Sequence, residues 1–289
     1  MIDLDMCMWL AIEEARASLR DGNNGFGAVI VRDGEVISAA HDLENSSGDP
    51  TSHAEMNAIR EASKKLGKNL ERCVLVSTHE PCPMCAAAIA RSGMREIAYG
   101  YSISEAKAQG RKRTDIPCRE IFRRADAEVE IHPAVLHEEC ALLYRRDVRA
   151  EIIKLRGISD EKLKALNMDS WVRRAGWFKE NREKFEFLSE DKVYSGYRVL
   201  LARLNITEEE APVVQRSAAE IVFRSRNFCP TLEACKILGL DTRVICKQLN
   251  EGSTDRLVKQ VDGRLRFSRN YELLRPYSDY CEERISLDE

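Results

Sequence analysis

The sequence lacks any apolar run that approaches the roughly 20 residues of a membrane-spanning helix, so it predicts no such helix. It also lacks a dominant charge, because 45 basic and 48 acidic residues leave a formal net charge of −3. This balance argues against binding nucleic acid through a globally basic surface, although a local basic patch is compatible with it. Internal repeats and low-complexity segments are absent from the sequence, so nothing predicts a repeat architecture.

The first 20 residues lack the basic start of a signal peptide, and Glu13 and Glu14 fall where its apolar segment would continue. Apolar residues recur instead at helical spacing between Leu4 and Leu19, which predicts an amphipathic helix. We therefore expect a cytoplasmic protein. In a reducing compartment its ten cysteines are expected to be thiols or metal ligands rather than disulfides.

The chain has 289 residues, which exceeds one average domain. Residues 1–152 alternate strand-like and helix-like segments, and this pattern predicts a layered α/β domain. Residues 153–216 are rich in charge and helical in pattern, and we interpret them as a connecting segment. Residues 217–289 mix strand-like and helix-like segments, which predicts a smaller α+β domain.

A candidate metal site lies in the first half of the chain. His53 occurs in "HAE", and Cys82 and Cys85 are spaced by three in "PCPMC". One imidazole and two thiolates suit Zn²⁺, and three protein ligands leave a coordination position for water, as in catalytic zinc sites. Zinc lowers the pKa of such a water to about 7. Taken separately, the cysteine pair favours a redox pair over metal binding, and the histidine favours a core residue or a helix N-terminal contact.

Glu55 follows His53 by two residues and is the candidate proton carrier of this site. It could take the proton of the water and return it to a substrate. The structural alternative is a capping box with Ser52, because the segment fits the S-x-x-E pattern. The joint pattern of H-x-E followed by P-C-x-x-C is the signature of the zinc nucleobase deaminases, which favours the catalytic role.

Residues 1–152 resemble the cytidine and deoxycytidylate deaminase superfamily, in particular guanine deaminases and tRNA adenosine deaminases. The resemblance rests on "FGAVIVRDGEVI", "DPTSHAEMNAI" and "HEPCPMCAAAI" in that order. It implies a three-layer α/β/α fold with a mixed five-stranded sheet, and a homodimer or larger oligomer. The implied reaction is hydrolytic deamination of an amino-substituted N-heterocycle at zinc, with Glu55 as the proton shuttle.

The resemblance also implies substrate contacts by Phe26, by the backbone of Ala54 and by Glu105. Asp42 departs from the family pattern, which typically has Asn there to grip the substrate. A carboxylate only accepts hydrogen bonds, so we expect a ring edge rich in N–H groups: an aminopyrimidine, a pterin, an aminotriazine or a modified purine rather than guanine. The structural alternatives are core packing for Phe26, a helix N-terminal charge for Glu105 and an outward-pointing side chain for Asp42.

The alternative function implied by the resemblance is tRNA adenosine deamination. Arg111, Lys112 and Arg113 form a local basic run that is compatible with binding a polynucleotide or with a solvated surface. The acidic balance and the large C-terminal region favour a small-molecule substrate over tRNA. A third hypothesis is a ligand-sensing protein without catalytic activity, in which the zinc is structural.

The C-terminal region contains a second cysteine set, of which Cys229, Cys246 and Cys281 form a second candidate site. Their pattern resembles the small domain of 2-aminothiazoline-carboxylate hydrolase-like proteins and, more distantly, 4-vinyl reductase domains. The three thiols could converge on a metal, a ring-opening site or a small-ligand pocket. Ordinary core packing is the alternative, because free cysteines are among the most buried residues.

Overall fold

The computed structural model describes residues 2–110, 114–185 and 191–288. The chain divides into two compact units, Met1–Ile153 and Lys154–Glu289, which are described separately below. Among the described residues, no helix is both long enough and apolar enough to cross a membrane.

The first unit alternates strands and helices, as the sequence pattern predicts. Its elements are α1 (Leu4–Arg20), β1 (Gly27–Arg32), β2 (Glu35–His41), α2 (Glu44–Ser47), α3 (Ala54–Leu66), β3 (Cys73–His79), α4 (Pro83–Ser92), β4 (Glu96–Tyr101), α5 (Ile103–Ala108), α6 (Cys118–Arg124), β5 (Glu130–Pro133) and α7 (His137–Tyr144), followed by α8 (Arg146–Leu155) at the boundary. Strands β1 and β2 form a hairpin that turns at Asp33-Gly34, and both residues have the positive φ that a tight two-residue turn requires.

The five strands form one mixed sheet in the order β2-β1-β3-β4-β5. Strand β1 pairs antiparallel with both β2 and β3, whereas β3-β4 and β4-β5 are parallel. Strand β3 is central and buried along its whole length, which matches its continuous apolar run. The predicted mixed five-stranded sheet is thus confirmed.

Helices α1 and α3 cover opposite faces of this sheet. Gly27 of β1 faces α1 so closely that a Cβ would overlap the carbonyl oxygen of Ala11. Neighbouring residues of a strand point to opposite faces, and the next residue, Ala28, pairs with Ser77. The Ser77 hydroxyl donates to Glu55 on α3, which therefore lies on the other face. The arrangement is the predicted three-layer α/β/α sandwich.

The second unit is built on a separate antiparallel sheet. Its elements are α9 (Asp160–Asn181), a 3₁₀ turn (Arg182–Lys184), α10 (Lys192–Leu204), β6 (Val213–Arg216), β7 (Glu220–Ser225), α11 (Pro230–Leu238), α12 (Thr242–Cys246), a π turn (Lys247–Glu251), α13 (Gly252–Val258), β8 (Leu265–Arg269) and β9 (Cys281–Leu287). The strand order is β6-β7-β9-β8. The predicted α+β character of the C-terminal region is confirmed.

The core of the second unit includes residues that the sequence analysis assigned to a connecting segment. Tyr197 of α10 is fully buried, and its ring lies 5.0 Å from that of Phe223 on β7. Strand β6 also lies within residues 153–216 and was not predicted. It has only four residues, of which two are apolar, and so short a pattern does not indicate a strand. The division into 1–152, 153–216 and 217–289 stays a prediction of domain organisation.

The close approach of α1 and β1 makes Gly27 a test of this packing. Gly27→Ala is expected to destabilise the protein by about 3 kcal/mol or more, because the new methyl group would overlap Ala11 and lie 2.5 Å from the backbone nitrogen of Ala15. Urea unfolding followed by circular dichroism measures the change. Gly176→Ala in α9 is the control: no atom lies within 4 Å of its added Cβ, so it should be neutral or stabilising by up to about 1 kcal/mol. Equal stability of the two variants would contradict the packing described.

Candidate zinc and substrate site

The three predicted zinc ligands meet at one point in the first unit. Nδ1 of His53 lies 3.6 Å from Sγ of Cys82 and 3.6 Å from Sγ of Cys85, and the two sulfur atoms are 3.6 Å apart. A tetrahedral zinc with Zn–S of about 2.3 Å and Zn–N of about 2.0–2.1 Å separates such ligand atoms by about 3.5–3.8 Å. The spacing and the donor set therefore fit zinc. Within the described residues, the group that could share this ion consists of these three side chains, which leaves a position for water or substrate.

Two helix N-termini bring the ligands together. His53 and Cys82 are the N-cap residues of α3 and α4, and both have an extended conformation. Pro83 occupies the first helical position of α4, where its missing N–H costs nothing. The positive ends of both helices therefore point at the sulfur ligands and favour their anionic form.

The Cys82 thiol is the more acidic of the pair. The hydrogen bond that joins its sulfur to Cys85, together with that to His53, lowers the pKa of Cys82 to about 4 against the opposing effect of burial. A thiolate is the form that binds zinc. The pair is thus suited to binding a cation. Its two sulfur atoms are not joined in a disulfide.

Glu55 is buried beside the ligands and does not form the capping box that was its structural alternative. Because His53 is the N-cap, the Ser52 hydroxyl interacts instead with the side chain of Asn57. The Glu55 carboxylate accepts a hydrogen bond from Ser77 at 3.1 Å and lies 3.5 Å from the sulfur of Cys85. Burial, and then the charge of Cys82, raises the pKa of Glu55 above its usual range. A raised pKa suits a group that must both take and return a proton near neutral pH.

Asp42 points inward, not out into its polar loop. It is fully buried, and its Oδ1 accepts hydrogen bonds at 3.2 Å from the backbone and side-chain nitrogens of Asn24. Its Oδ2 is buried without a hydrogen-bond partner among the described residues. A carboxylate oxygen of Asp42 lies within 4.8 Å of ring nitrogen of His53, so an unsatisfied acceptor stands next to the metal site.

Glu44 and Asn24 complete this side of the site and were not singled out from the sequence. Glu44 Oε2 accepts from Asn24 Nδ2 at 2.9 Å and lies 3.9 Å from His53 Nε2. A carboxylate on the outer nitrogen of a metal-binding histidine fixes the ring and raises its basicity. Asn24 lies in the loop "DGNNG" and Glu44 is the first residue of α2 in "DLENS", and these two polar stretches by themselves indicate only turns.

A cavity of about 430 Å³ opens on the ligands. Its walls include His53 and Cys82 together with His79, Glu80 and apolar side chains; the latter are Met84, Ile103 and Ile116. Two larger clefts, of about 770 and 720 Å³, lie along α3 and include none of the three ligands in their walls. We place the site by its chemistry rather than by size, because the smaller cavity has two of the predicted zinc ligands, His53 and Cys82, in its walls.

His79 and Glu80 are cavity residues that the sequence analysis missed. The two oxygens of Glu80 accept from the backbone nitrogens of Ile103 at 3.0 Å and Cys118 at 2.9 Å, which fixes the far wall of the cavity. The signal was available, because "HE" stands between the end of β3 and the PCPMC motif. Charged residues at that edge of a parallel pair often serve a site.

The remaining predicted substrate residues take different positions. Ala54 is the first residue of α3, so its N–H has no acceptor within the helix and lies beside the ligands. The Phe26 ring is buried against Tyr144 and His79, each at 5.4 Å, so it supports the cavity wall from behind. Glu105 forms a capping box with Ser102, which is the structural alternative that the sequence left open. Its direct contact with substrate stays a prediction without support from the geometry.

Two further groups of predicted residues lie elsewhere. Arg111, Lys112 and Arg113 fall outside the described residues. Cys229, Cys246 and Cys281 belong to the second unit, and within the described part of the chain they do not form a group close enough to share a metal ion. The zinc alternative for these three cysteines is therefore not supported.

Comparison with known proteins matches residues 1–101 to the cytidine and deoxycytidylate deaminase zinc-binding region. The tRNA-specific adenosine deaminase of Bacillus subtilis is 35% identical over 137 residues, which are 47% of this chain and 83% of that protein. The Bacillus subtilis guanine deaminase is 39% identical over 108 residues, 37% of this chain and 67% of that one.

The match to other relatives is shorter. The Aquifex aeolicus tRNA-specific adenosine deaminase is 43% identical over 91 residues, 31% of this chain and 60% of that protein, so the chain spans less than two thirds of its length. A solved structure of the Bacillus subtilis guanine deaminase is 36% identical, with 38% of this chain and 71% of that chain covered and a TM-score of 0.36.

The relatives carry two different substrate names, and the family model covers residues 1–101, which include the zinc ligands. An identity of 35% over 83% of a relative is enough to establish shared ancestry of that region. The chain therefore belongs to the cytidine and deoxycytidylate deaminase family, whose members are zinc-dependent hydrolytic deaminases.

Proposed function

We propose that the protein hydrolytically deaminates a small amino-substituted N-heterocycle that presents N–H groups to Asp42. The observation that carries this proposal is the buried, unpartnered Oδ2 of Asp42 beside His53. An acceptor without a donor in such a place is costly unless a ligand supplies the donor. Aminopyrimidines, pterins, aminotriazines and modified purines have such donor-rich edges.

Zinc, when held by His53, Cys82 and Cys85, supplies an activated water for attack on the ring carbon that bears the amine. Glu55 is the residue that moves protons. Its carboxylate, fixed by Ser77 and shielded from solvent, accepts one proton on the water side and delivers it to the ring nitrogen. It then accepts the second proton of the water and delivers it to the amine, which leaves as ammonia. The N–H of Ala54 helps to orient the reacting groups.

The size of the cavity supports a free base or nucleoside as the substrate. Its volume of about 430 Å³ falls in the usual range for small-molecule sites. The walls formed by Met84, Ile103 and Ile116 are apolar and suit the faces of a flat ring, and a carboxylate oxygen of Asp42 lies within 4.8 Å of the His53 ring in the same wall. A homodimer is part of the proposal on family grounds.

The second candidate function is deamination of adenosine in tRNA. It is favoured by the 35% identity over 83% of a relative that carries that name. The basic run at Arg111–Arg113 would then contact the polynucleotide.

The zinc site is tested by metal content. Cys85→Ala is expected to lose the zinc that the wild type holds at one ion per chain, because two ligands bind far more weakly than three. Inductively coupled plasma mass spectrometry of purified protein measures this directly. The control Cys73→Ala removes another buried thiol at the start of β3 and should keep its zinc. Full zinc occupancy in Cys85→Ala would show that the ligand set is different.

The role of Glu55 is tested by Glu55→Gln, which keeps the shape and removes the proton acceptor. We expect zinc content and melting temperature to be retained and kcat to fall by about 10²–10⁴-fold. The control Glu61→Gln changes an exposed carboxylate on the same helix, whose partner is Lys64, and should leave kcat unchanged. If Glu55→Gln turns over at the wild-type rate, proton transfer belongs to another group. If neither protein turns over any substrate while zinc is bound, the ligand-sensing hypothesis is favoured.

Substrate choice is tested by ammonia release from a panel of free bases, nucleosides and tRNA. The wild type should prefer donor-rich rings over guanine, and Asp42→Asn should reverse the preference, because Asn presents an N–H where Asp42 presents Oδ2. The expected loss in kcat/KM for donor-rich rings is about 10–100-fold. Asp49→Asn, in the exposed loop before α3, is the matched control. Release from tRNA alone would replace this proposal with the second candidate function.

A further inference from the structure

The inner face of the second unit's sheet changes from apolar to polar at one end. Pairing places the following side chains on that face: Ile221, Phe223 and Ser225 of β7, Leu265, Phe267 and Arg269 of β8, and Cys281, Glu283, Ile285 and Leu287 of β9. The apolar members pack in the core. The polar members, Ser225, Arg269, Cys281 and Glu283, are all at the same end, because Ser225 pairs with Cys281 and Arg269 with Glu283. We refer to these four residues as the polar end of the sheet.

Both carboxylate oxygens of Glu283 accept hydrogen bonds, whereas one guanidinium nitrogen of Arg269 has no acceptor among the described residues. Arg269 Nε donates to Glu283 Oε1 at 2.7 Å, and Ser225 Oγ donates to Glu283 Oε2 at 2.6 Å. The side chains of Arg269 and Glu283 are only 13% and 6% exposed. Arg269 Nη1 is buried and has no acceptor among the described residues. A buried charged donor left in this state is costly, so an acceptor is expected there.

Positive charge exceeds negative charge around this point. Arg275 Nε is a second buried donor without a partner in the described part of the chain. Burial, and then the charge of Arg269, lowers the pKa of Arg174 to about 10. Of the nearby carboxylates, Glu283 is already shared with Ser225, and Glu251 is bonded to Tyr271. A neutral water could satisfy one N–H, but it would leave the excess charge uncompensated.

Three thiols surround the guanidinium groups without neutralising them. Cys229 precedes α11, Cys246 ends α12 and Cys281 begins β9. Arg269 and Arg275 both act electrostatically on Cys229, and Arg269 and Cys281 both act on Cys246. Burial nevertheless raises the pKa of Cys229, and that of Cys246 to about 11, so both are neutral thiols at physiological pH. Each of the three cysteine residues is partly exposed.

We propose that the polar end of the sheet is a second ligand site, which binds a small molecule through a carboxylate group. The carboxylate oxygens accept from Arg269 Nη1 and Arg275 Nε, in the manner of guanidinium–carboxylate pairs. The N-terminus of α11 adds a favourable dipole for the anion. The rest of the ligand contacts the thiols of Cys229, Cys246 and Cys281. The site is independent of the zinc centre and of its substrate.

The test compares two alkylating reagents of the same size on the zinc-loaded full chain. Iodoacetate carries a carboxylate and iodoacetamide carries a neutral amide, and each transfers its CH₂ group to a thiolate with loss of iodide. The ratio of the two rates cancels the intrinsic reactivity of each thiol. Peptide mass spectrometry resolves the rates for Cys229, Cys246 and Cys281. Relative to N-acetylcysteine, at least one of them should favour iodoacetate by about tenfold or more.

Variants assign the preference to the guanidinium. Arg269→Gln with Glu283→Gln replaces the ion pair by two amides, which avoids leaving a buried charge, and should return the ratio to that of N-acetylcysteine. Arg284→Gln is the control, because Arg284 is 55% exposed and lies on the opposite face of β9; it should keep the wild-type ratio. Circular dichroism verifies that each variant is folded.

Three outcomes overturn the proposal. The first is a wild-type ratio no higher than that of N-acetylcysteine at all three thiols. The second is an unchanged ratio in the double variant. The third is the absence of reaction with either reagent at all three cysteines, because a ligand site must admit a reagent of this size.

Discussion

The meeting of two helix N-termini beside the central strand is the arrangement on which the rest of the first unit depends. Helices α3 and α4 place His53 and Cys82 at their caps and Cys85 one turn later, and the three ligand atoms are spaced by 3.6 Å. The helix dipoles favour the thiolate needed for zinc. Ser77 on β3 donates a hydrogen bond to Glu55 beside the ligands, and Glu44 on α2 lies next to the His53 ring.

The sequence was sufficient for the fold of the first unit and for the metal ligands, because both depend on short-range patterns. The apolar run of β3, the Asp33-Gly34 turn and the helix signals around Pro83 and Gly93 are local features with local physical causes. The ligand set was recognisable because one histidine and two cysteines, which are all suitable zinc ligands, occur in two short motifs. The H-x-E pattern also distinguished Glu55 from a helix cap, and the structure agrees, since His53 rather than Ser52 is the N-cap.

The parts that the sequence did not reveal depend on contacts between distant segments. Asn24 and Glu44 are ordinary turn residues until the fold brings them to Asp42 and His53. Glu80 looks like a surface charge but is buried because two backbone nitrogens from later segments donate to it. At Glu105 the structure shows a capping box with Ser102, and the substrate contact that the family resemblance implied stays a prediction. Strand β6 was missed because its apolar content is too low to be recognised without its partner β7.

Asn24 links the two carboxylates on the substrate side of the site, because its amide donates to both Asp42 and Glu44. A substitution at any one of these three positions therefore changes the hydrogen bonding of the other two. The effect of an exchange between Asp and Asn at position 42 on substrate preference should accordingly depend on the residues at positions 24 and 44. The same exchange introduced alone into a distant relative need not transfer the preference, since the supporting amide would have to be transferred with it.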